Sequence, residues 1–156
     1  MGVPQEVKAT YLALVESGLI RYQTLPAAAA GIALVSDGAA AAWAWMANYV
    51  QITAAAVIPN PCWLVGATIH TGVVETINGD IAIASGAIAA EVNLAMFHFV
   101  AGIPSAVGVS VAGPIWLPYP IKIVGSPRLA ANIRKDTAAS AAGVTIKLIL
   151  ATAVGT

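Results

Sequence analysis

Two histidines, one cysteine and seven carboxylates are the first side chains to weigh for chemistry in this chain. His70 and His98 fall in separate predicted strands. With Glu75 or Glu91 they could share a metal ion, but a metal site needs three or four ligands to converge, and no spacing here brings that about. A satisfied or interface histidine is the simpler reading. Cys62, beside Trp63, reads as a small buried hydrophobe rather than a nucleophile. Being alone, it excludes an intrachain disulfide and a Cys-based zinc site. Glu75 and Asp80 flank Asn78-Gly79. Paired carboxylates can hydrolyse glycosides, but a hairpin tip needs polar residues anyway, which makes them solvent-facing turn residues. There is no phosphate-binding glycine loop, no H-E-x-x-H and no G-x-S-x-G. The chain reads as a non-enzyme without cofactor or metal.

The remaining candidates are residues that make contacts. Trp43, Trp45 and Tyr49 alternate along one segment. Such a stripe is core, a subunit interface or a platform for stacking sugars. Trp116 and Tyr119 sit in a proline-containing stretch and join them as candidate contact residues. Arg128 and Arg134, close to Lys135 and Asp136, form a charged patch that is either solvated or docks an acidic partner surface.

The elements that position these residues are mostly strands. Residues 7–17 have apolar positions near helical spacing, and Gly18 is a stop signal; residues 1–18 read as a short helix or arm that docks on a neighbour. From residue 19 the signals are β. Strands are predicted at 19–25 (ended by Pro26), 31–36, 43–53, 62–70, 91–100, 129–134 and 144–152. The 43–53 run is the longest clear alternation, with Trp43, Trp45, Tyr49, Gln51 and Thr53 on one face. Residues 73–85 read as a hairpin turning at Asn78-Gly79, because both residues of that turn must take positive φ. In 91–100, Phe97 and Phe99 share one face and Met96, His98 and Val100 the other. Pro118 and Pro120 make 115–124 an edge or bulged strand. The expectation is an all-β chain: a single β-sandwich, jelly-roll-like, over residues 19–156.

Charge is scarce: 9% of residues against 59% hydrophobic, with zero formal net charge. No charged side chain lies between Asp37 and Glu75, nor from Val92 to Ile121. A soluble domain ordinarily carries about a quarter charged residues, so this much apolar surface calls for a cover of lipid or protein. Mean hydropathy is +0.84, much of it from alanine, which adds little buried area. The best spanning candidate, residues 39–58, holds Asn48, Gln51 and Thr53 and runs into Pro59-Asn60-Pro61. The second uncharged stretch holds Pro104, Pro114, Pro118 and Pro120. Flanking basic clusters are missing. The expectation is no membrane, no nucleic acid and a homo-oligomer. The N-terminal residues lack the pattern of a signal peptide.

The stretch Pro118-Tyr-Pro-Ile-Lys-Ile-Val-Gly-Ser-Pro-Arg-Leu-Ala-Ala-Asn-Ile-Arg-Lys-Asp-Thr-Ala-Ala-Ser, followed by Gly143-Val-Thr-Ile-Lys-Leu-Ile-Leu, resembles the C-terminal part of small β-sandwich virion proteins of tailed bacteriophages. Tyr49-Val-Gln-Ile-Thr-Ala, Trp63-Leu-Val-Gly-Ala-Thr-Ile and Ile83-Ala-Ser-Gly-Ala-Ile-Ala-Ala-Glu-Val are similar in the same way, so the likeness spans roughly residues 43–152. The resemblance implies a capsid decoration, or cement, protein, made in the host cytoplasm and carried on the outer surface of the virion. It implies a trimer or dimer that bridges subunits of a major capsid protein. The chain departs from that pattern in its alanines, as at Ala84, Ala90 and Ala131, which fits burial on several sides by a lattice. Two alternatives stand beside it: a carbohydrate-binding β-sandwich using Trp43, Trp45 and Tyr49, and a structural protein of the tail or fibre.

Overall fold

The structure is a computed structural model and describes residues 5–27, 31–34, 42–71, 77–101, 110–136 and 144–154. One helix, α1 (Gln5–Glu16), precedes nine described strands: β1 (Ile20–Leu25), β2 (Ile32–Leu34), β3 (Val50–Thr53), β4 (Cys62–Thr71), β5 (Ile77–Ser85), β6 (Val92–Ala101), β7 (Ser110–Ile123), β8 (Leu129–Lys135) and β9 (Val144–Ala153). The helix ends where the sequence predicts. Gly18 takes φ +70°; its N–H donates to Val15 O and the Leu19 N–H to Leu14 O, the paired bonds of a glycine-terminated helix.

The strands form two antiparallel sheets. One runs β1-β9-β4-β7, with β2 sharing the β9 edge; the other runs β3-β8-β5-β6. β1 takes residues 148–153 of β9 and β2 takes residues 144–146. Between β2 and β9 the chain changes sheet at every step except the β5–β6 hairpin. With β2-β9-β4-β7 facing β3-β8-β5-β6, this is an all-β jelly-roll sandwich. The inward residues of both sheets, among them Leu64, Ile69, Ile81, Phe97, Ile133 and Leu148, make one contiguous core. A second, smaller core lies outside the β9–β4 sheet. There Trp63, Val65, Ile149 and Ala151 are covered by Tyr11 and Leu14 of α1. Within this chain α1 therefore packs on the outer face of the β9–β4 sheet.

Two sequence expectations are corrected. Asn78-Gly79 is not a turn; both residues lie inside β5, paired to Val100 and Phe99 of β6. Glycine is required there by close approach: a Cβ at Gly79 would come 2.5 Å from the Arg134 carbonyl oxygen and 3.1 Å from the Phe99 ring. A glycine inside a strand marks such a contact as readily as a turn. The expected partner strand before it, residues 73–76, lies outside the described residues, as does Glu75. Second, the long 43–53 strand is regular only from Val50 to Thr53. Trp43 takes φ +62°, which breaks the extended run. Two backbone bonds still tie the segment to β8, from the Trp43 N–H to Lys135 O at 2.7 Å and from the Met46 N–H to Ile133 O at 3.3 Å. Asn132 of β8 adds a side-chain bridge: its Oδ1 accepts from the Met46 N–H and its Nδ2 donates to Met46 O, both at 3.0 Å, a side chain completing what a regular strand partner would supply.

The edge assignment of the proline-containing strand holds. β7 closes one side of its sheet, and its register on β4 shifts twice.

Candidate interaction surfaces

The singled-out residues fall in three places. The first is the outer face of the β8–β5 sheet. Strand alternation puts Arg134, Asp80 and His98 in one row across β8, β5 and β6, since Asp80 pairs with both of the others. Arg134 Nε and Nη2 donate to Asp80 Oδ2 at 2.8 and 2.7 Å. His98 Nδ1–H donates to Asp80 Oδ1 at 2.8 Å, because an ionised carboxylate can only accept. Burial alone would raise the Asp80 carboxyl, but the hydrogen bonds from His98 and Arg134 outweigh it and hold it below the usual carboxylate range. The Arg134 guanidinium also lies over two indoles, 4.9 Å from the Trp45 ring centre and 5.8 Å from that of Trp43. A cation over an aromatic face is attracted by the ring quadrupole. One arginine thus fixes the irregular 42–49 segment to the sheet while closing an ion pair.

Tyr49 belongs to the same face. Its hydroxyl donates to Asn93 Oδ1 of β6 at 2.7 Å. β8 and β5 lie between the two residues, so the phenol spans both strands. Below it run Ala130 and Ala84, paired with one another and fully buried. Only a small side chain leaves room for that strap. Ala131, by contrast, points into the core, and Ala90 is exposed in the 86–91 loop. None of Trp43, Trp45 and Tyr49 joins the sandwich core, and Trp43 is 42% exposed.

The second place is one end of the sandwich. Arg128 pairs with Glu91 at 2.9 Å and donates from Nε to Gln51 at 3.1 Å. Chiefly because of the hydrogen bond from Arg128, the Glu91 carboxyl sits below its ordinary value. Ser126 Oγ donates to Ile58 O at 2.6 Å, and the Ala56 N–H to Ser126 O. Around these tied loops Val57, Ile88 and Val124 are exposed. Arg128 and Arg134 therefore belong to different sites, and each is committed to an internal carboxylate.

The third place is the outer face of the other sheet. Trp116 and Tyr119 on β7 are exposed. With Tyr11, Leu12, Pro118 and Pro120 they line a groove of about 280 Å³ between α1 and β7. Trp116 meets Tyr22 edge-on at 6.4 Å, and Tyr11 meets Trp63 edge-on at 6.0 Å. The Tyr11 and Tyr22 hydroxyls share a hydrogen bond at 3.1 Å. Burial first, then that bond, pushes the Tyr11 hydroxyl above its ordinary range. Trp63 itself is buried, and its Nε1–H has no acceptor among the described residues.

The remaining candidates are placed as follows. His70 is on β4 and His98 on β6, in opposite sheets, so they do not meet. Among the described residues no cluster of three potential metal ligands occurs. Asp80 is buried at mid-strand rather than facing solvent at a hairpin tip. Burial pushes the Cys62 thiol up to about 11. No helix among the described residues is long and apolar enough to cross a membrane. Sequence reasoning missed Asp80 and His98 as partners of Arg134. It also missed Tyr11 and Tyr22 as groove and ring partners of Trp116. For the first pair a signal existed: each lies among buried apolar neighbours, at an outward position of an alternating strand.

No protein-family model matches the chain, and a search of the curated proteins finds no match. Among solved structures the chain is similar to one from the infectious bursal disease virus Gx strain, with a TM-score of 0.37 and 13% identity. The similarity covers 87% of this chain and 32% of the length of that one. At that level two chains need share no function.

Proposed function

We propose that this chain is a non-enzymatic structural subunit of a virion, a jelly roll that decorates or cements a capsid by packing against its own copies and a major capsid protein. One observation carries the reading. Large apolar side chains stand exposed on both outer faces and at one end of the sandwich, among them Tyr22, Met96, Val100, Trp116, Tyr119 and Ile88. At the same time Asp80, Glu91, Arg128 and Arg134 are spent on internal pairs. A free monomer gains nothing from that distribution, whereas a lattice subunit buries such surface on several sides. Each contact contributes at roughly 25 cal/mol per Å² of apolar area, before association costs. Repetition over a shell accumulates modest contacts by avidity. The bacteriophage resemblance of residues 43–152 supports a place on the outside of the head.

An antibody raised against the purified protein tests this on intact particles of the virus that carries the gene. Gold label over the head surface is expected. Label confined to the tail or fibre would move the subunit there, and unlabelled particles would sink the reading.

The groove between α1 and β7 favours one alternative, a carbohydrate-binding module, because exposed aromatic rings stack on sugars. In that case oligosaccharides would shift the tryptophan emission of the free protein, and Trp116→Ala would abolish the shift. The original platform of Trp43, Trp45 and Tyr49 suits sugars less well. Arg134 already lies against both indoles, and Asn93 takes the Tyr49 hydroxyl.

A further inference from the structure

We infer that the free edge of β6 is a self-pairing interface, through which two copies join their four-stranded sheets into one of eight strands about a two-fold axis. The edges of the two sheets on this side of the sandwich are built differently. β7 carries Pro114, Pro118, Pro120 and Lys122 within the strand, and its register on β4 shifts twice. Proline, lysine and bulges are the devices by which a sheet edge is blunted against pairing with another chain. β6 has no proline and no Lys, Arg, Asp or Glu anywhere from Val92 to Ala101. Among the described residues it pairs with β5 alone. Its one irregularity faces Ile83 and Ala84, which leaves residues 95–101 in unbroken register.

The strand is also held ready. Phe97 and Phe99 are buried in the sandwich core and fix its inner face. On its outer face Met96 is 53% exposed and Val100 58%. Ten residues give a ladder about 33 Å long, and among the described residues no strand pairs with the side of it that faces away from β5.

The occupant is a second copy because an antiparallel edge is self-complementary. The same strand run in the opposite direction presents matching donors and acceptors about a two-fold axis, which is the commonest symmetry of protein dimers. Nothing on the strand opposes that approach. No formal charge meets a like charge, and His98, the one titratable side chain of the outward row, already gives its Nδ1–H to Asp80. A partner bearing a charged strand would find no complement here. A contact of one strand per copy lies at the low end of interface sizes, under about 1,200 Å² in total, where weak and transient associations fall, so the measured mass should depend on concentration. The pairing does not depend on the chain's belonging to a virion, and its test involves no particle.

Light scattering behind size exclusion, at loadings from low to high micromolar, reads it directly. The wild-type mass is expected to rise from one chain of 15.7 kDa to two. The double variant Met96→Lys/Val100→Lys is expected to stay at one. Val154→Lys, which places a lysine on a comparably exposed residue just after β9, is expected to dimerise like the wild type. A wild type that stays at one chain, any mass other than two, or a dimer indifferent to the double variant overturns the proposal. Should the double variant fail to fold, hydrogen exchange on the wild type decides. The amides of residues 92–101 that point away from β5 are expected to be protected at high concentration and to exchange fast on dilution. Fast exchange at both concentrations overturns it.

Discussion

On the outer face of the β9–β4 sheet a regular helix lays Tyr11 and Leu14 over Trp63, Val65 and Ile149. On the outer face of the β8–β5 sheet an irregular stretch, residues 42–49, does the covering. It is tied down by the Asn132 bridge to Met46, by Arg134 under two indoles and by the Tyr49–Asn93 strap. Both covers shield an outward face that a jelly roll otherwise leaves to solvent. The first works by area and shape, and tolerates a buried indole N–H that has no acceptor among the described residues. The second works by directed bonds and has small residues beneath it, Ala84 and Ala130. An area-based cover should yield to loss of volume, and a bond-based cover to loss of a single polar atom or a proton.

The largest effect is expected on the helix side. Trp63→Ala removes the ring around which the outer core is built and should cost about 3–5 kcal/mol in denaturant unfolding, the range for emptying an aromatic site. Trp63→Phe keeps most of the area and discards a donor that has no acceptor among the described residues, so it should cost well under half as much. Equal losses would show that the indole N–H is in use. On the strap side Asn132→Leu keeps volume but leaves the Met46 N–H and C=O without their side-chain partner. The Met46 N–H retains only its 3.3 Å contact with Ile133 O. A loss of about 2–3 kcal/mol is expected, the scale of an unsatisfied buried polar group, together with a change in tryptophan emission as Trp43 and Trp45 loosen. An unchanged emission spectrum would show that Arg134, the Trp43 N–H bond to Lys135 O and the Tyr49–Asn93 strap hold the segment without Asn132.

Acid should separate the two covers as well. The Asp80 carboxyl is held below its ordinary value in the folded protein. Its contribution is therefore complete above the unfolded carboxylate pKa, about 3.9, and is lost as pH falls through the lower folded value. Glu91, lowered by Arg128, acts in the same direction at the sandwich end. Unfolding followed by tryptophan emission should show wild-type stability falling below about pH 4. In Asp80→Asn that fall should be shallower, from a lower starting stability. The same slope in both proteins would remove Asp80 from the account.

How far this was legible in the sequence depended on range. The stop at Gly18, the end of β1 at Pro26, the inward pair Phe97 and Phe99, and the edge position of β7 follow from neighbours a few residues apart. The sequence pattern carried them. The Trp43–Tyr49 stretch alternates as a strand does, yet its backbone answers to Asn132, 86 positions beyond Met46. Asn78-Gly79 has the residues of a hairpin turn, but the glycine serves an approach by the Arg134 backbone and the Phe99 ring. For the candidate surfaces the residue types were visible and the partners were not. Arg134 was singled out with Trp43 and Trp45, but Asp80 joins them only when β5 pairs with β8.

The smallest expected difference compares two phenols, Tyr49 of the irregular cover and Tyr22 of β1, which bonds the helix's Tyr11. Tyr49 donates its hydroxyl to a side chain two strands away, so Tyr49→Phe cuts a tether and should cost about 1 kcal/mol, an ordinary net hydrogen bond. Tyr22 shares its hydroxyl with Tyr11 at an exposed site where water can replace either partner, so Tyr22→Phe should fall at or below about 0.5 kcal/mol. The second substitution has a sharper readout than stability. Two causes raise the Tyr11 hydroxyl, burial first and then Tyr22. Removing the Tyr22 hydroxyl should let Tyr11 ionise at lower pH in an ultraviolet titration, yet still above the ordinary 10.0, because the helix keeps it against Trp63. A return all the way to 10.0 would mean that burial contributes nothing. The helix would then not be closed over the sheet, and the contrast between an area-based and a bond-based cover would fail on the side where it predicts the larger effects.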